Sequence, residues 1–240
     1  MEDALTLESG LRQYPYSYSI ELAGTPLEKI RAHLAPKRFC LAGRKIVEEL
    51  GIQSKDKVLE IGSGLGLLGS EIKKIVGSDL KYFGLDLIFG SLTKSEKSIL
   101  PIQANAVSLP FADGAFDKIV STDVFEHIPN ARTAVAEVHR VLRPGGMAFV
   151  VIADPSEARF FDVSSHLKRS EEKTDINWWE NLFKEGGFKI LSEASEKYRN
   201  KDWRRIFNLP FLVRLKDKPG FACAFNPVYR PGTYILQKPA

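Results

Sequence analysis

Cysteine is scarce. Cys40 and Cys223 are the only two among 240 residues, far apart and in no metal-type spacing. Neither a disulfide framework nor a zinc site is therefore expected, and no metal is assigned. A strong charge imbalance is also lacking. The net charge of +4 is too mild to imply a nucleic-acid partner by itself. No stretch approaches the roughly 18 uninterrupted apolar residues of a membrane span. The opening Met1-Glu2-Asp3 is acidic with no apolar run behind it, which argues against a signal peptide. Internal repeats and low-complexity tracts are missing as well. What remains is 44% hydrophobic and 27% charged, the balance of an ordinary folded domain in a reduced, cytoplasmic setting. The length fits one substantial domain, or one with a helical attachment.

Residues 1–50 differ in character from the rest of the chain. Tyr14-Pro15-Tyr16-Ser17-Tyr18 is aromatic and turn-like. Pro26 opens a predicted helix through Leu27, Ile30 and Leu34. A second helix is predicted to carry Phe39, Leu41, Ile46, Val47 and Leu50 and to stop at Gly51. Together they form an N-terminal helical cap, which either packs on a sheet or covers a substrate. Over 51–240, strands and helices alternate, as in a parallel sheet with helices on both faces. The predicted strands are Val58–Ile61, Tyr82–Leu85, Ile99–Ala104 (interrupted by Pro101), Phe116–Ser121, Met147–Ile152, Phe188–Leu191 and Thr233–Leu236. A helix Ala131–Leu142 is stopped by Arg143-Pro144-Gly145-Gly146, and another around Trp178, Trp179, Leu182 and Phe183 ends at Gly186-Gly187.

Val58-Leu59-Glu60-Ile61-Gly62-Ser63-Gly64-Leu65-Gly66 organises the rest. An apolar strand ends in glycines and enters a helical pattern at Leu67, Leu68, Ile72, Ile75 and Val76, so the turn lets a ligand touch backbone. A dinucleotide fingerprint wants glycine at the first, third and sixth positions. Here the sixth is Leu67, the third glycine comes early at Gly66, and Glu60 stands two places before Gly62.

This stretch resembles motif I of the class I S-adenosylmethionine-dependent methyltransferases. Such a site holds no pyrophosphate. It holds the carboxylate of a methionine moiety, whose ammonium and sulfonium favour acidic surroundings. Asp86 ends the second strand at the distance where an acidic residue accepts from both ribose hydroxyls, although an acid there also serves as a helix cap. Gln103 to Phe111 and Asp113 to Asp117 resemble the Gly-Asp-Ala…Leu-Pro-Phe…Phe-Asp segment of the type 11 branch. The family's aspartate, which meets the adenine amino group, is Asn105 here, and the preceding glycine is Ala104. An amide oxygen accepts the same hydrogen bond. Ser121 to His127 follows the fourth strand as the family's cofactor-and-substrate mouth does. His139-Arg140-Val141-Leu142-Arg143-Pro144-Gly145-Gly146 matches a segment common before the fifth strand. The resemblance is dense over residues 45–155. It implies a Rossmann-like α/β fold with a seven-stranded, mostly parallel sheet and an antiparallel last strand. It also implies S-adenosyl-L-methionine as cofactor, held by Glu60, Gly62, Ser63, Gly64 and Gly66, by Asp86 and Leu87, by Asn105 and Ala106, and by Asp123 and Val124.

The methyl acceptor is less legible. His127 and His166 are candidate bases, and His127 has the alternative of packing beneath the cofactor. Asp154 and Asp162 fall on the same side of the sheet. Phe161 to His166 with Trp178-Trp179 is similar to methyltransferases of sugars and related small molecules. The 197–220 stretch reads as a basic lid-like insertion, with eight basic residues against Asp202 and Asp217 over 197–218 and Trp203, Phe207 and Phe211 interleaved. That pattern suits a solvated amphipathic helix, or an acidic or single-stranded nucleic-acid ligand. Asn226-Pro227-Val228-Tyr229 is similar to a motif of amino-directed nucleic-acid methyltransferases, but stands far from the fourth strand and reads as a turn. The expectation is methyl transfer to an oxygen or nitrogen of a small molecule such as a sugar. The alternatives are an RNA or protein methyltransferase, and a non-catalytic cofactor-binding module.

Overall fold

The computed structural model describes residues 39–88, 97–152, 176–191 and 232–240. Within them α1 spans 39–50, followed by β1 (Lys57–Ile61), α2 (Leu67–Val76), β2 (Lys81–Asp86), β3 (Leu100–Gln103) and β4 (Phe116–Thr122). A 3-10 turn (Phe125–His127), α3 (Ala131–Val141), β5 (Leu142–Val151), α4 (Ile176–Glu185), β6 (Lys189–Ile190) and β7 (Thr233–Gln237) complete the order. The seven strands make one sheet in the order β3-β2-β1-β4-β5-β7-β6. The pairs from β3 through β5 are parallel, and β7 runs antiparallel to both β5 and β6. This is the mostly parallel sheet with an antiparallel last strand that the motifs imply.

Both faces of the central strands are buried, so β5 carries the apolar run Ala148 to Val151, with Ala148 and Val150 on one face and Phe149 and Val151 on the other. Leu59 and Ile61 of β1, Ile119 of β4 and Leu236 of β7 join α3 and α4 residues such as Val138, Trp179 and Phe183 in one core. Val58, Val120 and Ile235 turn to the other face, against Ala42, Ile46 and Leu50 of α1 and Leu68 and Ile72 of α2. The described part of the N-terminal region thus packs on the sheet. Gly51 closes α1 with φ 58, as the sequence predicts. Leu41 is 52% exposed, and Ala42 takes the inward position expected of it.

Two local expectations need correction. Pro101 does not interrupt β3. It pairs with Gly84 inside the strand, because β3 is the sheet edge, where a missing N–H leaves no ladder bond unfilled. Nor does Arg143 to Gly146 form a loop between helix and strand. Fully buried Leu142 already pairs with Phe116, and the register then jumps to Lys118 with Met147, so the four residues are a bulge within β5. Arg143 Nε anchors that bulge on Asp117 at 2.6 Å. The Lys57 amide also donates to Asp117, at 2.8 Å. Burial pushes the Asp117 carboxyl up, but these bonds and the Arg143 charge hold it below the usual range.

Candidate functional site

In an open parallel sheet, ligands bind beyond the strand C-termini where the chain changes direction across the sheet. Here that point lies between β1 and β4, since the chain runs outward from β1 through β2 to β3 and then returns to β4 on the opposite side. The C-terminal ends of β1 to β4 and the segments after them meet at this edge. They carry all eleven residues expected to hold the cofactor.

The glycine turn after β1 is closed by backbone. The amides of Gly62 and Ser63 both donate to the Leu85 carbonyl, at 2.7 and 2.9 Å, and the Gly66 amide donates to the Ser63 carbonyl at 2.8 Å. Gly62, Gly64 and Gly66 have φ of 75, 53 and 70, a region open to glycine at little cost. Their surroundings differ. A Cβ on Gly62 would lie 2.1 Å from Val124 Cγ2, so the turn sits directly against the segment after β4. A Cβ on Gly64 meets no atom of the described residues within 4 Å. The α2 helix then begins with Gly66 as N-cap, with no side-chain cap and no acidic residue in its first turn. Its first amides and the positive end of its dipole suit a carboxylate.

Asp86 joins this turn to the end of β2. Its Oδ2 accepts the Gly64 N–H at 2.8 Å, and its Oδ1 accepts the Ile88 N–H at 2.9 Å. Each oxygen retains a lone pair, so the carboxylate can brace the turn and still accept from ribose hydroxyls. Leu87 is held by Gln103, whose Nε2 donates to its carbonyl at 3.3 Å.

Glu60 lies deeper than the acidic surroundings pictured from sequence. It is 3% exposed, and Tyr82 Oη donates to its Oε2 at 3.0 Å. Burial, opposed by the Tyr82 bond and assisted by the Asp86 charge, pushes its carboxyl up to about 8. Gly69 of α2 makes this arrangement possible, because a Cβ there would lie 2.4 Å from the Tyr82 ring. Ser63 is also buried, and its Oγ has no hydrogen-bond partner among the described residues.

Beyond β3, Asn105 Oδ1 accepts the Val107 N–H at 3.1 Å, and the Ser108 amide returns to the Asn105 carbonyl at 3.0 Å. Ala106 is buried beside it. Beyond β4, Asp123 has φ 59, the only positive value outside glycine among the described residues, while its amide donates to the Val151 carbonyl at 2.9 Å. Such a conformation costs on the order of 1–3 kcal/mol and concentrates at functional positions. His127 ends the 3-10 turn half-buried, its amide bonded to the Val124 carbonyl at 2.9 Å.

His166, Asp154, Asp162, the basic 197–218 stretch, Asn226 to Tyr229 and the predicted helix from Pro26 lie outside the described residues. Among the described residues, no helix is long and apolar enough to cross a membrane, and no cluster of three acidic, histidine or cysteine side chains could hold a metal. Sequence reasoning missed Tyr82, Glu137 and Arg140. The three-residue spacing of Glu137 and Arg140 signals a helical pair. Their backbone partners, 28 to 31 positions away, leave no such trace.

Comparison with known proteins agrees with this fold. Residues 59–150 match the family model described as a methyltransferase domain. The chain is 30% identical over 199 residues to sterol methyltransferase-like 1 of Botryococcus braunii, covering 70% of this chain and 51% of that protein. It is 28% identical over 110 residues to demethylmenaquinone methyltransferase of Staphylococcus aureus strain MRSA252, covering 43% and 46%. The chain spans about half the length of the curated relatives it matches. Phosphoethanolamine N-methyltransferase 2 of Haemonchus contortus, solved with S-adenosyl-L-methionine, shares the fold with a TM-score of 0.57. Its identity is 15%, over 83% of this chain and 53% of that one.

Proposed function

With residues 59–150 placing this chain in the class I S-adenosylmethionine-dependent methyltransferases, type 11 branch, we propose that it transfers a methyl group from S-adenosyl-L-methionine to an oxygen or nitrogen of a small molecule. The observation that carries the reading is Asp86 bonded to the Gly64 amide at the sheet's switch point, uniting an acidic acceptor and a glycine turn. The donor set fits the cofactor. The uncapped start of α2 suits a carboxylate, Asp86 suits ribose hydroxyls, and Asn105 offers an acceptor for an amino group. Among the described residues, no atom lies within 4 Å of a Cβ built at Gly64.

The cofactor supplies a methyl group activated on a sulfonium centre. This chain's own contribution is alignment and exclusion of water, which leaves little covalent work for side chains. The closed glycine turn and the braced Asp86 fix the donor side before any acceptor arrives. Where the nucleophile is a hydroxyl, its proton must leave, and a histidine of near-neutral pKa suits that step. We assign the role to His166, with His127 the other candidate. A small-molecule acceptor gains support from the relatives, whose names specify a sterol and demethylmenaquinone.

The test is transfer of a labelled methyl group from S-adenosylmethionine to a panel of hydroxylated and amine-bearing metabolites, with RNA and protein substrates alongside. Labelling of a small molecule alone is expected. RNA binding that weakens steeply with salt, accompanied by RNA labelling, would replace this reading with a nucleic-acid one.

A further inference from the structure

The Leu109–Asp113 stretch is fastened to α3 by the side chains of Glu137 and Arg140, with Arg140 ion-paired to both Glu137 and Asp113. Glu137 and Arg140 stand one turn apart on that helix. Arg140 Nε and Nη2 donate to the two Glu137 oxygens at 2.7 and 2.9 Å. Nη1 donates to the Phe111 carbonyl at 2.7 Å and to Asp113 Oδ1 at 2.8 Å, and Nη2 also reaches the Leu109 carbonyl at 3.0 Å. Glu137 Oε2 in turn accepts the Leu109 N–H at 2.6 Å. Both backbone groups of Leu109 are thus held by one pair of side chains. The Arg140 bond, with the Leu109 amide and against partial burial, keeps Glu137 below the usual carboxylate range. A planar five-donor guanidinium is required, since a lysine could not serve these acceptors together.

The fastened stretch continues directly from the Asn105–Ser108 turn. The Val107 amide can only donate, so it dictates that the oxygen of the Asn105 side chain faces it. Phe111, just past the turn, stands edge-on to Phe83 and Phe116 in the core. On its other side the turn is secured by the Ala104 amide on the Asp86 carbonyl at 3.2 Å. Without the ion pair, the Leu109 amide loses its acceptor and its carbonyl keeps only the local Phe111 N–H at 2.8 Å, so the turn can relax.

We propose that Glu137 and Arg140 are positioning residues for recognition of the cofactor base. By fixing Leu109 they hold the Asn105–Ser108 turn so that Asn105 presents its amide oxygen, and not its nitrogen, to the exocyclic amino group of adenine. This rests on the S-adenosylmethionine reading above. A purely structural pair would weaken all ligands alike, whereas a positioning pair changes the choice between a 6-amino and a 6-oxo purine.

The experiment compares calorimetric affinities for S-adenosylhomocysteine and S-inosylhomocysteine in the parent, Glu137→Gln, Arg140→Met and Arg143→Met. The parent should prefer the adenine form roughly 10-fold, the worth of about one hydrogen bond. That preference should fall to about 2-fold or less in Glu137→Gln and Arg140→Met, on the same scale. Arg143→Met, which breaks the separate ion pair with Asp117, should retain it. Because Arg140→Met also strips three carbonyl and carboxylate acceptors outside Glu137, the milder Glu137→Gln is decisive if Arg140→Met fails to fold. Faster hydrogen exchange at the Leu109 and Val107 amides in Glu137→Gln would support the same conclusion. A parental preference unchanged in a folded Glu137→Gln overturns the proposal, as does a parent that binds both analogues equally. A parent that binds neither overturns the methyl-donor reading together with it.

Discussion

Replacing Gly62 with alanine should do two kinds of damage that a second substitution can separate. With φ at 75, any side chain at this position meets the left-handed penalty of about 1–2 kcal/mol. The new Cβ would also fall 2.1 Å from Val124 Cγ2, 3.1 Å from Cγ1 and 3.2 Å from Cβ. Forcing Val124 aside is overpacking, typically another 1–3 kcal/mol. Gly62→Ala should therefore cost about 2–5 kcal/mol in urea unfolding. Val124→Ala, which removes two half-buried methyls, should cost roughly 1–1.5 kcal/mol. In the double variant both methyl contacts are gone and a tight 3.2 Å approach to the Cβ at 124 stays beside the backbone penalty, so the two changes should couple favourably by about 1–3 kcal/mol. S-adenosylhomocysteine affinity should follow the same pattern, because Val124 adjoins the strained Asp123. Additivity within about 0.5 kcal/mol would show that the turn after β1 and the segment after β4 do not press together, and the site's geometry would need redrawing.

Other perturbations probe the same site. Asp86→Ala removes the acceptor of the Gly64 and Ile88 amides, and S-adenosylhomocysteine affinity measured by calorimetry should fall by about one to two orders of magnitude. Glu60, raised from 4.5 to about 8 by burial, binds a proton in the folded chain that the unfolded chain releases across that window. Its contribution to stability is complete below pH 4.5 and is lost as pH rises through about 8. The parent should therefore lose on the order of 1 kcal/mol per pH unit relative to Glu60→Gln inside the window, read from urea midpoints. Equal slopes for the two proteins would show that Glu60 is ionised in the fold. His166→Ala should retain cofactor affinity yet lose at least ~100-fold in single-turnover methyl transfer to a hydroxyl acceptor. A variant with the parental rate and pH profile returns the role to His127, Asp154 or water.

What the sequence could convey depended on whether the cause was local. The β1 strand, its glycines and the helical pattern from Leu67 are one continuous signal, and so the strand–turn–helix was legible, while the mostly parallel sheet with its antiparallel last strand was implied by the resemblance. Asp86 was legible as an acid at a strand end, but its bond to the Gly64 amide joins two turns 22 residues apart. Glu60 gave the opposite difficulty. Its place before the glycines suggested an acid beside the cofactor's positive groups, whereas strand alternation puts it with Val58 and Tyr82, on the face away from Leu59 and Ile61. Nothing along the chain announces that Gly69 clears space for the Tyr82 ring. Arg143 to Gly146 looked like a helix stop because proline and glycines usually are one. Only the partner strand shows that Leu142 already belongs to the sheet. The hydroxyl-acceptor side depends on residues such as His166, for which spacing alone offers no partner.

The central claim is that the turn from Gly62 to Gly66 holds S-adenosylmethionine through its backbone. Titration calorimetry of the parent and Gly64→Val with S-adenosylhomocysteine tests it most directly. Gly64 has φ 53, so valine there meets the left-handed penalty of about 1–2 kcal/mol, but no atom of the described residues lies within 4 Å of a built Cβ, and the side chain itself intrudes only on whatever the backbone approaches. The account predicts saturable one-to-one binding by the parent and loss of binding by the variant, with circular dichroism showing the fold retained. Equal affinities in the two proteins, or a folded parent that binds none, would contradict it.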